Sequence, residues 1–360
     1  MKSFKHIIYT AFCVFALSAT TIPAVQAQSS NNPLPVAFGD PYVLHDGSGT
    51  YYMYGTGGGA KQGFSAYSSR DLKNWKPEGQ VYFHDNKNGW GNGAFWAPEV
   101  YKVENKYYLF YSAQWKHNPT NEKENFRIGV AVSDKPTGPF TDLNDRPVFD
   151  PGYPIIDANV LFDKGRVYLY YSRCCYKHPV ESEVAAWAKA KGWYNEVEES
   201  WVYGVELKPD FSGTIGEPVL LLRPPVKNDP ATAWESRSVT SREANRRWTE
   251  GSYIFKHKNL YYMMYSANNF DGENYAVGYA TGKSPLGLFK KSPDNPVLQK
   301  NGQVSGTGHN SVTWAADGRT MYCVYHGRTP ETGHKRLVFI DKMRIDKKGK
   351  LVVDGPTVKR

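Results

Sequence analysis

Cysteine is scarce in this chain: four in 360 residues, at positions 13, 174, 175 and 323. They form no CxxC pair and no evenly spaced set, which excludes a disulfide framework and a cysteine zinc site. Cys323 sits inside an apolar run and reads as a small core residue. A bridge between the neighbours Cys174 and Cys175 would be strained. Long apolar runs are also missing, apart from residues 7–19. That stretch is too short to span a bilayer comfortably. With Lys2 and Lys5 before it and Val25-Gln26-Ala27 after it, residues 1–27 read as a secretory signal, so the chain is expected to be exported to the periplasm or beyond. Cys13 lies within that stretch without the context of a lipoprotein cysteine. A basic stripe is absent too. Lys and Arg outnumber Asp and Glu by 44 to 35, a formal charge of +9, or about +7 once Lys2 and Lys5 are removed, but the excess is scattered. Short runs such as Arg246-Arg247 and Lys347-Lys348-Gly349-Lys350 carry no nucleic-acid motif. The expectation is a soluble monomer with neither nucleic acid nor membrane as partner. Helical periodicity is nearly absent.

Aromatic strand signals are abundant instead, and they repeat. The copies are DPYVLHDGSGTYYMYGT from Asp40, APEVYKVENKYYLFYSA from Ala97, DANVLFDKGRVYLYYSR from Asp157, EGSYIFKHKNLYYMMYSA from Glu250 and HNSVTWAADGRTMYCVYHG from His309. Each is an apolar run, a polar turn and a second run of Tyr, Met, Leu, Phe and Val. Runs at 51–54, 107–111, 167–171, 261–265 and 321–325 suit strands buried on both faces. Further strand-like pieces follow at 63–68, 128–133, 201–207 and 275–280, each ending in a turn rich in Asp, Pro, Gly or Lys. The copies start 57 to 60 residues apart, except for a gap of 93 between the third and fourth. That spacing is the length of a four-stranded propeller blade. The fold is therefore predicted to be all-β: a single-domain five-bladed β-propeller over residues 28–360, with one four-stranded sheet per blade and the active site at the central channel. The long gap places an insertion at about 174–245, with a short helix at 184–191. Such an insertion either shapes a binding site or is a solvated excursion. A β-sandwich is the competing all-β architecture, but it would not explain the phase of the polar residues.

Four copies begin on an ionisable residue. Around a common axis Asp40, Asp157, Glu250 and His309 converge, with Ala97 on the remaining blade. Asp before Pro is common in turns, so Asp40 alone says little. Asp157, between Ile155-Ile156 and Ala158-Asn159-Val160, is harder to dismiss, because carboxylates facing a crowded axis are costly unless paired or used. Glycosidic hydrolysis needs two carboxyl groups, one ionised to take a proton from water and one protonated to give a proton to the leaving oxygen. A third carboxylate near the acid can raise its pKa and orient it. Phe95-Trp96 stands just before Ala97. Trp96 can stack on a sugar face with Ala97 leaving room beneath, or it can simply pack in the core.

Asp40-Pro41, Trp96-Ala97-Pro98-Glu99-Val100, Ile156-Asp157-Ala158, Glu250-Gly251 and Gly306-Thr307-Gly308-His309-Asn310 together resemble the signature set of glycoside hydrolase family 43. The resemblance covers nearly the whole chain after the signal segment. It implies a five-bladed propeller that inverts anomeric configuration on an oligosaccharide or polysaccharide substrate. By position it implies Asp40 as general base, Glu250 as general acid and Asp157 as the residue that tunes and orients the acid. It implies that His309 lies at the pocket bottom, where family members often hold calcium through water. No cofactor is expected to be required, and a structural histidine is the alternative, since calcium prefers oxygen. Arg336 resembles the active-site arginine of the last blade, placed to bond sugar hydroxyls and to help keep Asp157 ionised. Ser252 stands where the family more often has Pro. The stretches 198–207, 246–251 and 304–312 look closest to single-domain α-L-arabinofuranosidases. β-Xylosidase or galactofuranosidase action is the alternative within the family. A non-catalytic sugar-binding propeller and a phosphorolytic enzyme are the alternatives outside that hydrolytic class.

Overall fold

The computed structural model describes residues 31–119, 121–178, 190, 197–225, 232, 234, 235 and 246–359. The expected signal segment, and the expected helix at 184–191 apart from Ala190, lie outside the described residues.

Twenty strands follow one another, and among the described residues only Ala190, Thr232, Trp234 and Glu235 are helical. The first four are β1 (Phe38–His45), β2 (Tyr51–Gly57), β3 (Gly63–Ser69) and β4 (Lys76–Phe83). They pair in chain order as an antiparallel meander. The next meander is β5 (Trp96–Val103), β6 (Lys106–Gln114), β7 (Phe126–Ser133) and β8 (Thr141–Asp142). The third is β9 (Ile155–Asp163), β10 (Arg166–His178), β11 (Val197–Leu207) and β12 (Thr214–Leu222). The fourth is β13 (Arg246–His257), β14 (Leu260–Ala267), β15 (Ala276–Gly282) and β16 (Lys290–Lys291). The last is β17 (Ser305–Trp314), β18 (Met321–Arg328), β19 (Leu337–Ile345) and β20 (Leu351–Val353).

The meanders do not make five separate sheets. β11 and β13 pair in parallel over Glu198–Arg246 to Ser200–Trp248, which fuses the third and fourth meanders into one eight-stranded sheet. The expectation of one sheet per repeat therefore fails at this join. The first strands still form a closed ring: β1 packs on β5, β5 on β9, β9 on β13, β13 on β17, and β17 on β1.

Burial follows strand order. Apart from its first residue, β14 is buried throughout, whereas β4 and β12 are mostly exposed. This is why the second strand of each repeat is a continuous aromatic and aliphatic run: both of its faces meet neighbouring sheets. Tyr111, Tyr171, Tyr265 and Tyr325 occupy the same place on β6, β10, β14 and β18, and all are fully buried. Cys323 is a buried core residue, and both it and the buried Cys174 are free thiols. The segment ahead of β1 closes the ring. The Leu34 N–H donates to the Val338 carbonyl, and the Val338 N–H to that of Val36. The Asn32 side chain bonds both backbone groups of Ile340.

Candidate active site

In every meander the pairing of first and second strands slips by one residue near the start of the first strand, and β17 slips once more, between Ser305 and Gly308. Each slip is a bulge that bends the strand and re-aims a side chain. The bulge residue has positive φ in all five repeats: Asp40 at 51°, Ala97 at 46°, Asp157 at 62°, Gly251 at 55° and His309 at 47°. For the non-glycine residues this conformation is strained, and such strain gathers at functional positions.

A side chain on the preceding meander's second strand receives each turned N–H. Ala97 donates to Thr56 Oγ1 (2.8 Å), Asp157 to Ser112 Oγ (3.0 Å), Gly251 to Ser172 Oγ (3.3 Å) and His309 to Ser266 Oγ (2.6 Å). Asp40 closes the circle by donating to His326 Nδ1 (3.1 Å) on the last meander. Thus Asp40, Ala97, Asp157 and His309 are equivalent, as expected. Glu250 is not their equivalent: Gly251 holds that position and Glu250 precedes it, paired with Ser266. The signal was present in the chain, because Val43, Val100, Val160, Ile254 and Val312 each follow the bulge residue by three positions.

The two outer members of the predicted carboxylate set live in opposed environments. Asp40 Oδ1 accepts a hydrogen bond from Arg336 Nη1 at 2.9 Å and lies 3.2 Å from His309 Nδ1. Oδ2 accepts from Thr56 Oγ1 at 2.6 Å. Burial alone would raise the Asp40 pKa, but the Arg336 guanidinium, His309 and the Thr56 bond outweigh it and hold the carboxyl well below the usual range. His326 Nδ1 is 3.6 Å from Oδ1, yet burial and then Arg336 push its pKa well down. It is therefore a neutral acceptor of the Asp40 N–H rather than an ion-pair partner, and its buried Nε2 has no hydrogen-bond partner among the described residues.

Glu250 is buried, with Oε1 accepting from the Tyr275 hydroxyl at 2.8 Å. Burial first, and then the negative charge of Asp157, raise its pKa well above the ordinary value. Asp157 Oδ2 accepts from Ser172 Oγ (3.1 Å) and from the Gly251 N–H (3.2 Å), the residue next to Glu250. Burial also raises Asp157, opposed by His309 and by those two bonds. Both carboxyls are raised, and the donors that reach Asp157 favour keeping the charge there and the proton on Glu250.

Other expected site residues divide. Trp96 is half-buried, its ring 4.2 Å from that of Phe126, so part of it remains open to solvent. Ala97 is buried at the bulge. Phe95 is not a sugar-facing residue: it is 8% exposed and packs against Phe64, Tyr82, His84 and Tyr111 in the core. Arg336 reaches the site, but its bond is to Asp40 rather than to Asp157. His309 offers calcium a poor site. Calcium takes six to eight oxygen ligands, whereas Nδ1 of His309 is directed at Asp40, and among the described residues no group of three or more His, Cys, Asp or Glu side chains could hold a metal.

Several participants were not singled out from sequence: Thr56, Ser112, Ser172, Ser266 and His326, and also Tyr275 and Glu99. The first five end the aromatic run of each copy, always one residue after Gly55 or a buried Tyr. Glu99 lies in the same network, accepting from the Tyr101 hydroxyl and, at 2.9 Å, from Asn159 Nδ2. Burial pushes its pKa up to about 8.

The family described as Glycosyl hydrolases family 43 matches residues 30–351. The chain belongs to this family. It is accordingly an O-glycosyl hydrolase. Among its relatives, a xylosidase/arabinosidase of Humicola insolens is 29% identical over 280 residues, covering 74% of this chain and 77% of that protein. A β-D-galactofuranosidase of Aspergillus niger is 28% identical over 307 residues, covering 80% and 73%. Among solved structures, a thermostable family-43 glycoside hydrolase superposes with a TM-score of 0.77 at 34% identity, covering 92% of this chain and 97% of that one.

Proposed function

We propose that this family 43 enzyme is an exported, inverting, exo-acting α-L-arabinofuranosidase that trims terminal arabinofuranosyl residues from plant cell-wall polysaccharides or oligosaccharides. The five meanders are its five propeller blades, closed through the ring of first strands. The observation that carries the chemistry is the opposition between Asp40, held ionised by Arg336, and Glu250, kept protonated by burial beside Asp157. Two carboxyl groups pushed apart in this way divide base from acid.

Asp40 takes a proton from water. A carboxylate offers about four acceptor directions; Arg336 and His309 occupy Oδ1 and Thr56 occupies one side of Oδ2, which leaves a direction on Oδ2 for the water. Glu250 gives its proton to the glycosidic oxygen as the bond breaks. Attack by water on the face opposite the leaving group inverts the anomeric carbon, which requires the two carboxyl groups to stand about 6.5–9.5 Å apart. Asp157 stays ionised and keeps the Glu250 proton available. Trp96 offers its open edge to the sugar. No step runs through a metal.

Arabinofuranose is favoured by the stretches 198–207, 246–251 and 304–312, and arabinose is one of the two sugars in the name of the xylosidase/arabinosidase relative. Galactofuranose is the second reading, favoured by the named galactofuranosidase. A panel of 4-nitrophenyl glycosides separates them. The arabinofuranoside is expected to be cleaved at least about tenfold faster than the galactofuranoside, which carries an extra hydroxymethyl group, or the xylopyranoside. No release from the arabinofuranoside would contradict the assignment.

A further inference from the structure

Tyr275 stands between the two halves of the site, directly before β15. Its hydroxyl donates to Glu250 Oε1 at 2.8 Å and meets no other acceptor among the described residues. Its ring lies parallel to that of His326, with centroids 5.7 Å apart and planes 13° from one another. The ring also lies against Gly308, the cross-strand partner of His326, where a Cβ would come within 2.1 Å of it. The phenol is therefore closely packed, with one hydrogen and one place to put it.

Resting on the assignment of Glu250 as the acid, we infer that Tyr275 is a positioning residue that fixes the acid's proton on Oε2 and keeps that oxygen turned to the leaving group. The carbonyl oxygen of a carboxylic acid accepts far better than its hydroxyl oxygen, so the phenolic hydrogen on Oε1 favours the proton on Oε2. Once the proton has left, Oε1 still accepts the phenolic hydrogen, and the bond then stabilises the new carboxylate. The hydroxyl thus makes Glu250 a better donor, opposing burial and the charges of Asp157 and Asp40, and acting alongside Arg336. Burial, then the Glu250 charge, keep the phenol itself protonated.

The same stack ties the acid to the base. His326 receives the Asp40 N–H, so the ring that Tyr275 rests on also holds the bulge that aims Asp40. The Phe variant keeps this stack and removes only the oxygen, which separates the two roles.

The test compares wild type, Tyr275→Phe and Glu250→Ala on an arabinofuranosyl disaccharide and on an activated aryl arabinofuranoside, with kcat/KM measured across pH. Loss of the hydroxyl makes Glu250 hold its proton more tightly, so the alkaline limb of Tyr275→Phe is expected to move to higher pH. Its rate on the disaccharide should fall about tenfold, part of the ~10²–10⁴ that an acid contributes, with little loss on the activated glycoside. Fluorotyrosine at position 275, a stronger donor of the same shape, should move the limb the other way. A limb that stays at its wild-type position in both variants, or an equal loss on both substrates, would overturn the role of Tyr275. Glu250→Ala with the same loss on both substrates would overturn the acid assignment itself, and the inference with it.

Discussion

At the scale of single residues, the site is a set of carboxyl groups whose behaviour is set by what touches them. Asp40 depends on Arg336. The acid limb of activity reports Asp40, because the base must be ionised; its pKa is depressed, so in wild type the limb lies below the ordinary carboxylate range. Arg336→Ala removes the nearest cation. The limb should then rise by about 1–3 pH units, so that activity is lost earlier as the pH falls. A pH profile of kcat/KM checks this, and an unmoved acid limb would show that Arg336 does not hold the base ionised. That Asp40, Asp157 and Glu250 belong together was legible from the repeats, although Glu250 stands one residue out of phase; the roles given to them came from the family resemblance. Their partners were not legible. Arg336 lies 296 positions from Asp40, and nothing local marks which carboxylate it will reach.

At the scale of elements, each site residue hangs on a bulge and a hydrogen bond from the neighbouring meander. The second and third strands were legible because burial on both faces makes them continuous aromatic and aliphatic runs. The outer strands β4, β8, β12 and β16 were not, since they are short or polar, and mostly exposed. The bulges also escaped notice. A one-residue slip leaves composition unchanged, and turns of different length between the first and second runs blur the phase, which is how Glu250 came to stand in for Gly251. Two glycines show how closely the elements fit. A Cβ on Gly39 would lie 2.0 Å from Arg336 Cζ, and one on Gly308 would lie 2.1 Å from the Tyr275 ring. The consequences differ. The end of an arginine can swing away, so Gly39→Ala should shift the acid limb upward as Arg336→Ala does, with the melting temperature nearly unchanged. A buried ring cannot yield in that way, so Gly308→Ala should lower stability by about 1–3 kcal/mol, the usual cost of overpacking. Thermal denaturation beside the pH profile distinguishes the two, and a Gly39→Ala enzyme with a wild-type acid limb would show that this glycine does not make room for Arg336.

At the scale of the whole molecule, the environment of Asp40, the proposed base, exists only because the ring closes. Asp40 is on the first strand, whereas His309, His326 and Arg336 come from the last meander. The pairing of residues 34–36 with β19, and the bonds of Asn32 to Ile340, bring those ends together. Glu250, the proposed acid, and Asp157, its proposed tuner, come from the fourth and third meanders, on the far part of the ring. Repetition therefore supplies five similar mounts, and their occupants differ: base, Trp96 with Ala97, tuner, acid with Gly251, and histidine. The central claim is that Asp40 activates water across the ring from Glu250. Proton NMR of α-L-arabinofuranoside hydrolysis, read before the released sugar equilibrates, tests it most directly. The account predicts that β-arabinofuranose appears first. If α-arabinofuranose appears first, configuration is retained through a covalent route and Asp40 is not the base described here.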